Sequence, residues 1–235
     1  MSNPATGRGI RIAIIDSGVH PQHGHIDASR LLPGAAIGSD GTIGTAPEDT
    51  LDRLGHGTAV TAAIQEKAPE AFCIPIRVFH ESLKTTGYAL VTAIDWAVAQ
   101  GADIINLSLG STNPAHAPAF AAAVERACHA GAIVVAPRAV DDTPCYPGAL
   151  EGVLSVCLDW DCPRETYRPA TDGSGHFFAS GFPRPIPGVP LRRNIHGISF
   201  STAQMSGFAA RALERSGITD AGNRRVQTVR AALGA

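Results

Sequence analysis

An α/β fold, with a mostly parallel central sheet and helices on both faces, is what this sequence of 235 residues predicts. Short runs rich in isoleucine and valine alternate with runs of helical periodicity, the pattern of parallel strands joined by helices. Hydrophobic residues make up 44% of the chain, enough at this length to bury one core, so residues 1–235 are read as a single domain.

Ile10–Ile15 is dominated by isoleucine and reads as a buried strand. His56–Glu66 reads as a helix and Phe72–Val78 as a strand. Thr86–Gln100 is helical by its spacing, with Leu90, Val91, Ile94 and Val98 on one face. Asp103–Leu109 is a strand, Ala117–Ala130 an alanine-rich helix, and Ala132–Ala136 and Val153–Leu158 are further strands. Ser199–Arg215 is a helix, followed by a short one near Arg224–Leu233. Glycine (25) and proline (17) are abundant and predict many loops. Pro183–Pro190, with four prolines, is one extended surface loop.

Composition excludes several functions. With 19 basic and 21 acidic residues, the net charge is −2, which suits neither a polybasic nucleic-acid binder nor an acidic disordered tail. Aromatics at 6% do not supply a base-stacking surface. No apolar run reaches the roughly 18 residues of a membrane span. Neither nucleic acid nor membrane is therefore expected as a partner. Met1–Gly9 contains no apolar signal-peptide core. The cysteines at 73, 128, 145, 157 and 162 are odd in number and lack disulfide-like spacing. Reduced thiols and a cytoplasmic location are the expectation.

Three segments carry chemistry. Ile12-Ala13-Ile14-Ile15 runs into Asp16-Ser17-Gly18. On its own, this acid reads most simply as a turn residue. Gly55-His56-Gly57-Thr58 opens a helix with a histidine between two glycines, poor helix material; alone it reads equally as a surface cap. Gly197-Ile198-Ser199-Phe200-Ser201-Thr202-Ala203 opens another helix, where a serine is ordinarily an N-cap. Taken together, an acid, a histidine and a serine stand at the ends of α/β elements. Acyl transfer needs a hydroxyl nucleophile, a base for its proton and an acid to hold the base. The free N–H groups of a helix N-terminus suit a developing oxyanion.

In that order the motifs resemble the subtilisin-like serine proteases, the subtilases. Asp16-Ser17-Gly18 is similar to the family's aspartate motif, His56-Gly57-Thr58-Ala59-Val60 to its histidine motif, and Gly197-Ile198-Ser199-Phe200-Ser201 to its serine motif. The resemblance implies a subtilisin-like three-layer fold and a triad of Asp16, His56 and Ser199. Ser201 falls where the family has alanine and receives no role. An α/β-hydrolase is set aside, because it needs Gly-x-Ser-x-Gly with the serine first. Lys67-Ala68-Pro69, Ile105-Asn106-Leu107-Ser108-Leu109-Gly110 and Cys145-Tyr146-Pro147-Gly148 resemble connecting segments of the family. They imply that a peptide or unfolded protein substrate adds a strand along Ser108, Leu109 and Gly110, with Ala136 and Cys145 at its specificity pocket.

The chain also departs from the family. The resemblance implies an oxyanion hole made by the Ser199 N–H and an asparagine side chain. Counting from Gly131, Val140 holds the asparagine position; a shift of one residue puts Asp141 there, and Arg138 or Asn194 are other substitutes. Loss of one such donor costs about 2.7–4 kcal/mol, a range measured in a member of this family. Ala63–Pro69 carries no insertion, so no calcium is expected at the family's loop in this helix. The chain is also expected to lack an inhibitory propeptide. Cys145 stands where the family has a small residue; it shortens the pocket and reads as a buried structural thiol. His20, His23 and His25 read as solvated loop histidines. Cys157 and Cys162 lack zinc-ribbon spacing, so no metal or cofactor is expected. Limited processing of a peptide precursor suits such a chain. The alternative is a degenerate subtilase that binds peptides without cutting them; the missing asparagine favours it and the intact triad opposes it.

Overall fold

A computed structural model describes residues 4–219 and 221–234. Its strands are β1 (Arg11–Asp16), β2 (Ala35–Ile37), β3 (Ile43–Gly44), β4 (Phe72–Arg77), β5 (Ile104–Leu107), β6 (Ile133–Pro137), β7 (Ala139–Val140), β8 (Thr143–Pro144), β9 (Leu154–Leu158), β10 (Tyr167–Pro169) and β11 (Phe177–Ala179). Five α-helices accompany them: α1 (His56–Lys67), α2 (Gly87–Ala99), α3 (Ala117–His129), α4 (Ile198–Ser216) and α5 (Asn223–Ala232). Nine strands form one sheet in the order β10-β11-β9-β6-β5-β1-β4-β2-β3, and β7 and β8 make a separate ribbon. Within the large sheet, only the outermost pairs β10–β11 and β2–β3 are antiparallel.

Alternation along the central strands divides the core. Ile12 and Ile14 of β1 face one side, where they meet Val60 and Ile64 of α1, Phe200 and Phe208 of α4, and Val226 and Val229 of α5. Ala13 and Ile15 face the other, against Leu90 and Ile94 of α2 and Phe120 and Val124 of α3. This is the predicted three-layer arrangement, and it explains why the central strands carry apolar residues on both faces, with few buried polar ones such as Asn106 of β5. On α2 the deepest positions include Ala89, Ala93 and Ala97, while Val91 and Val98 are only half buried. Close packing of this helix rests on its alanines as much as on its larger residues.

Element ends shift for identifiable reasons. α2 starts at Gly87 because Thr86 is its cap, accepting the Ala89 N–H at 3.1 Å. β5 stops at Leu107, and Ser108–Gly110 leaves the ladder before Ser111 bridges to Tyr146. β2, β3, β10 and β11 have two or three residues each, too few for a periodicity to register. The 183–190 loop is irregular, with a turn closed by the Val189 N–H on the Ile186 carbonyl. No described helix is long and apolar enough to cross a membrane.

Candidate active site

Asp16 is the last residue of β1. The chain passes from β1 to β4 on one side and then crosses to β5 on the other. Such a switch leaves a crevice beyond the carboxyl ends of the strands. Asp16 is wholly buried there. Its Oδ1 accepts from the Ser17 N–H at 2.8 Å and lies 2.7 Å from His56 Nδ1. Its Oδ2 is buried without a hydrogen-bond partner among the described residues, so His56 is the one side chain this carboxylate engages.

His56 opens α1 after Gly55, which adopts the left-handed conformation at φ 80°. Gly57 is required for close approach: a Cβ there would stand 2.3 Å from the Gly18 carbonyl oxygen. The first turn of α1 can therefore lie directly on the Ser17–Gly18 backbone. Phe200 packs beside the imidazole, ring centroids 5.9 Å apart. Burial works against the imidazolium. The hydrogen bond and charge of Asp16, with a further contribution from the charge of Asp52, outweigh it and hold the His56 pKa above its ordinary 6.5.

Asp52 is the residue that motif reading missed. Its carboxylate accepts five hydrogen bonds: from Ser17 Oγ (2.8 Å), the Leu54 and Gly55 N–H groups (2.9 Å each), the Thr58 N–H (2.8 Å) and Thr58 Oγ1 (2.6 Å). Ser17 Oγ in turn accepts the Gly57 N–H at 2.8 Å, and Thr58 Oγ1 the His20 N–H at 3.0 Å. One carboxylate thus caps α1, fixes the turn before it and ties both to the residue after Asp16. Burial raises its pKa, but these donors prevail and hold it below 3.8. The available signal was an Asp two and three residues ahead of the N–H groups it caps.

Ser199 lies in the first turn of α4, where N–H groups have no intrahelical acceptor. Its hydroxyl donates to the Ser108 carbonyl at 2.9 Å. Among the described residues it makes no hydrogen bond to His56, so engaging the base requires rotation of the side chain. Ser201 is fully buried and donates to the Ala179 carbonyl at 2.9 Å. Ser206 Oγ donates to Asn106 Oδ1 and Asn106 Nδ2 donates to Ser108 Oγ, fastening α4 to the end of β5.

The segment predicted to receive substrate comes to the same place, with a redistribution of roles. Leu109 and Gly110 are half buried, Ser108 is buried, and Cys145 lies so close beneath that a Cβ on Gly110 would meet its sulfur at 2.5 Å. Burial pushes the Cys145 thiol up to about 11. Ala136 points into the core on the α2 and α3 side and is fully buried, so it gives no surface to a substrate. Val140 is exposed on the β7–β8 ribbon, whose tip, Asp141-Asp142, has positive φ. The charge of Arg138 acts on Cys157 and His176. Asn194 lines a cavity beside His20 and His25, with its Oδ1 accepting the Ile195 N–H at 2.9 Å. None of these four side chains hydrogen-bonds to Asp16, His56 or Ser199 among the described residues. Among those residues, no three His, Cys, Asp or Glu side chains converge as a metal set.

Removing the Asp52 carboxylate strands buried donors. Asp52→Ala should cost about 3 kcal/mol or more in urea unfolding at pH 7. Because the folded pKa is lowered, this contribution is present above the unfolded value near 3.8 and is lost as pH falls through the folded one. The gap between variant and wild type should therefore narrow in acid. An Asp52→Ala chain as stable as wild type at pH 7 would contradict the capping role.

Comparison with known proteins agrees with this arrangement. The subtilase family model (Peptidase_S8) matches residues 7–157, which include Asp16 and His56. Subtilisin DY of Bacillus licheniformis is 30% identical over 165 residues, 64% of this chain and 56% of that protein, so the match spans little more than half of that relative. Thermitase of Thermoactinomyces vulgaris is 28% identical over 221 residues, 87% of this chain and 75% of thermitase. A cold adapted subtilisin-like serine proteinase of known structure superimposes with a TM-score of 0.71 at 22% identity, over 97% of this chain and 82% of its own. By family model, relatives and fold, the chain belongs to the subtilase family.

Proposed function

We propose that this chain is a serine endopeptidase that cleaves peptide bonds through an acyl-enzyme. The observation that carries the reading is the Asp16–His56 pair, 2.7 Å apart, at the end of β1, with Phe200, the residue after Ser199 in the first turn of α4, packed against the imidazole. In the mechanism, Ser199 rotates from the Ser108 carbonyl toward His56 and attacks the scissile carbonyl carbon. His56 takes the hydroxyl proton and returns it to the leaving amine; Asp16 holds the imidazole tautomer and stabilises the imidazolium. The Ser199 N–H donates to the tetrahedral oxyanion. Water then attacks the acyl-enzyme, with His56 again as base.

The substrate we infer is an extended or unfolded peptide, as in limited processing of a precursor, because adding a strand along Ser108–Gly110 requires unpaired substrate backbone. With Val140 at the position the family resemblance gives to the oxyanion asparagine, turnover should be slow. The second reading, a subtilase that binds peptide without cutting, draws on the same lack and on the Ser199 hydroxyl resting on a carbonyl.

Covalent labelling separates the two. A fluorophosphonate should add once to the wild type, not to Ser199→Ala, and still to Ser201→Ala, whose hydroxyl is buried on Ala179. No adduct on the wild type would favour the binding-only reading, and loss of labelling in Ser201→Ala alone would show that the serine register is wrong. Because α1 runs without interruption through Ala63–Lys67, EDTA should leave activity and Tm unchanged. A fall of several degrees, reversed by calcium, would reveal a bound ion.

A further inference from the structure

Beside the first turn of α1, a cavity of about 290 Å³ opens between the 20–25 loop, α1 and the 183–195 loop. Its wall includes Gly55, next to His56, and Ile195, four residues before Ser199. None of its lining residues comes from Ser108–Gly110 or from 136–145. A peptide whose acyl half lies along Ser108–Gly110 therefore sends its leaving half toward this cavity.

The lining carries an excess of positive charge, two arginines against the single carboxylate of Asp52. Arg184 donates from Nη1 to the His25 carbonyl at 3.0 Å, and the rest of its guanidinium is unpaired among the described residues. Arg53 makes no hydrogen bond or ion pair among them. Burial, aided by the charges of Arg184 and His23, lowers the His25 pKa below 6.5, so this imidazole is neutral at pH 7. The one carboxylate in the wall is Asp52, whose two oxygens already accept five donors. Glu66 faces the neighbouring depression and is paired with Lys67 at 3.2 Å and with Arg164. Ala59, Ala62 and Ile186 supply apolar wall, which strengthens the field of the two guanidinium groups.

We infer that this cavity binds a carboxylate of the substrate on the leaving-group side of the scissile bond, from an acidic side chain or from the substrate's own C-terminus. The direction of the substrate rests on the peptidase reading above. Arg53 and Arg184 are then specificity-determining residues, matching the planar carboxylate with their forked N–H groups.

The test is a peptide set cleaved at one site, with Glu or Gln at each of the first three leaving-side positions and a C-terminal acid or amide. Wild type should favour an acid at one internal position or at the terminus by about tenfold in kcat/KM, the scale of a charge-assisted contact. Which arm responds identifies the source of the carboxylate. The ratio should fall toward one in Arg53→Gln/Arg184→Gln, and Arg53→Glu should shift the preference toward Lys. No preference in wild type, or one that survives the double variant, overturns the inference. Binding of fluorescent leaving-half peptides, Glu against Gln and acid against amide, to Ser199→Ala supplies a readout independent of cleavage. Acid-selective binding without any wild-type cleavage would uphold the cavity and sink the peptidase reading. Equal binding of all four would sink the cavity.

Discussion

The carboxylate of Asp52 is the constraint on which the rest of this site depends. An acid at a strand end and a histidine at a helix start have no covalent reason to meet, since Asp16 and His56 are forty residues apart. Asp52 receives the Ser17 hydroxyl from the strand side and the Leu54, Gly55 and Thr58 N–H groups from the helix side. Satisfying these buried donors fixes the separation of β1 and α1, and the 2.7 Å contact of Asp16 with His56 follows. Gly57 is the steric half of the same arrangement, because only a residue without a Cβ lets α1 come down on Gly18. A capping motif and a close backbone approach thereby set the carboxylate against the imidazole.

On the proposed mechanism, the same electrostatics would give stability and activity opposite pH slopes. His56 has its pKa raised by Asp16 and Asp52 against the opposing effect of burial. Its imidazolium stabilises the fold most fully below the unfolded value near 6.5, and that contribution is lost as pH rises through the folded pKa. The base that the proposed mechanism asks of His56 is the neutral form, which gains population over the same range. On the proposed peptidase reading, activity then rises where the site contributes less to holding the protein together. On the serine side, Ser201, Ser206 and Asn106 fasten α4 to β11 and β5, and the proposed mechanism asks only the Ser199 side chain to move.

Much of this was legible in the sequence. The long strands and helices follow from apolar runs and 3.6-residue spacing, and the three motif segments fall where strand or helix ends put them in one crevice. Short elements escaped because two or three residues of β2, β3 or β10 are specified by pairing with neighbours and not by local pattern. Asp52 escaped because its partners are mostly backbone N–H groups, which no residue type advertises. Ala136 was misassigned to the substrate surface because a register names a position without saying which face of β6 it occupies. Nothing local to the histidine-rich loop announced Arg53 or Arg184, which reach the same cavity from other loops.

The most direct measurement is the titration of His56 by NMR, following the ring protons of a histidine-labelled Ser199→Ala chain in wild-type and Asp52→Asn backgrounds. The account predicts an apparent pKa above 6.5 in the first, with the Nδ1 proton protected from exchange by its bond to Asp16. In the second it predicts a lower pKa, because a charge that supports the imidazolium is gone and the cap that aligns the pair is weakened. A His56 pKa at or below 6.5 with Asp52 intact, or one unmoved by its replacement, would contradict the claim that Asp52 assembles and tunes the base.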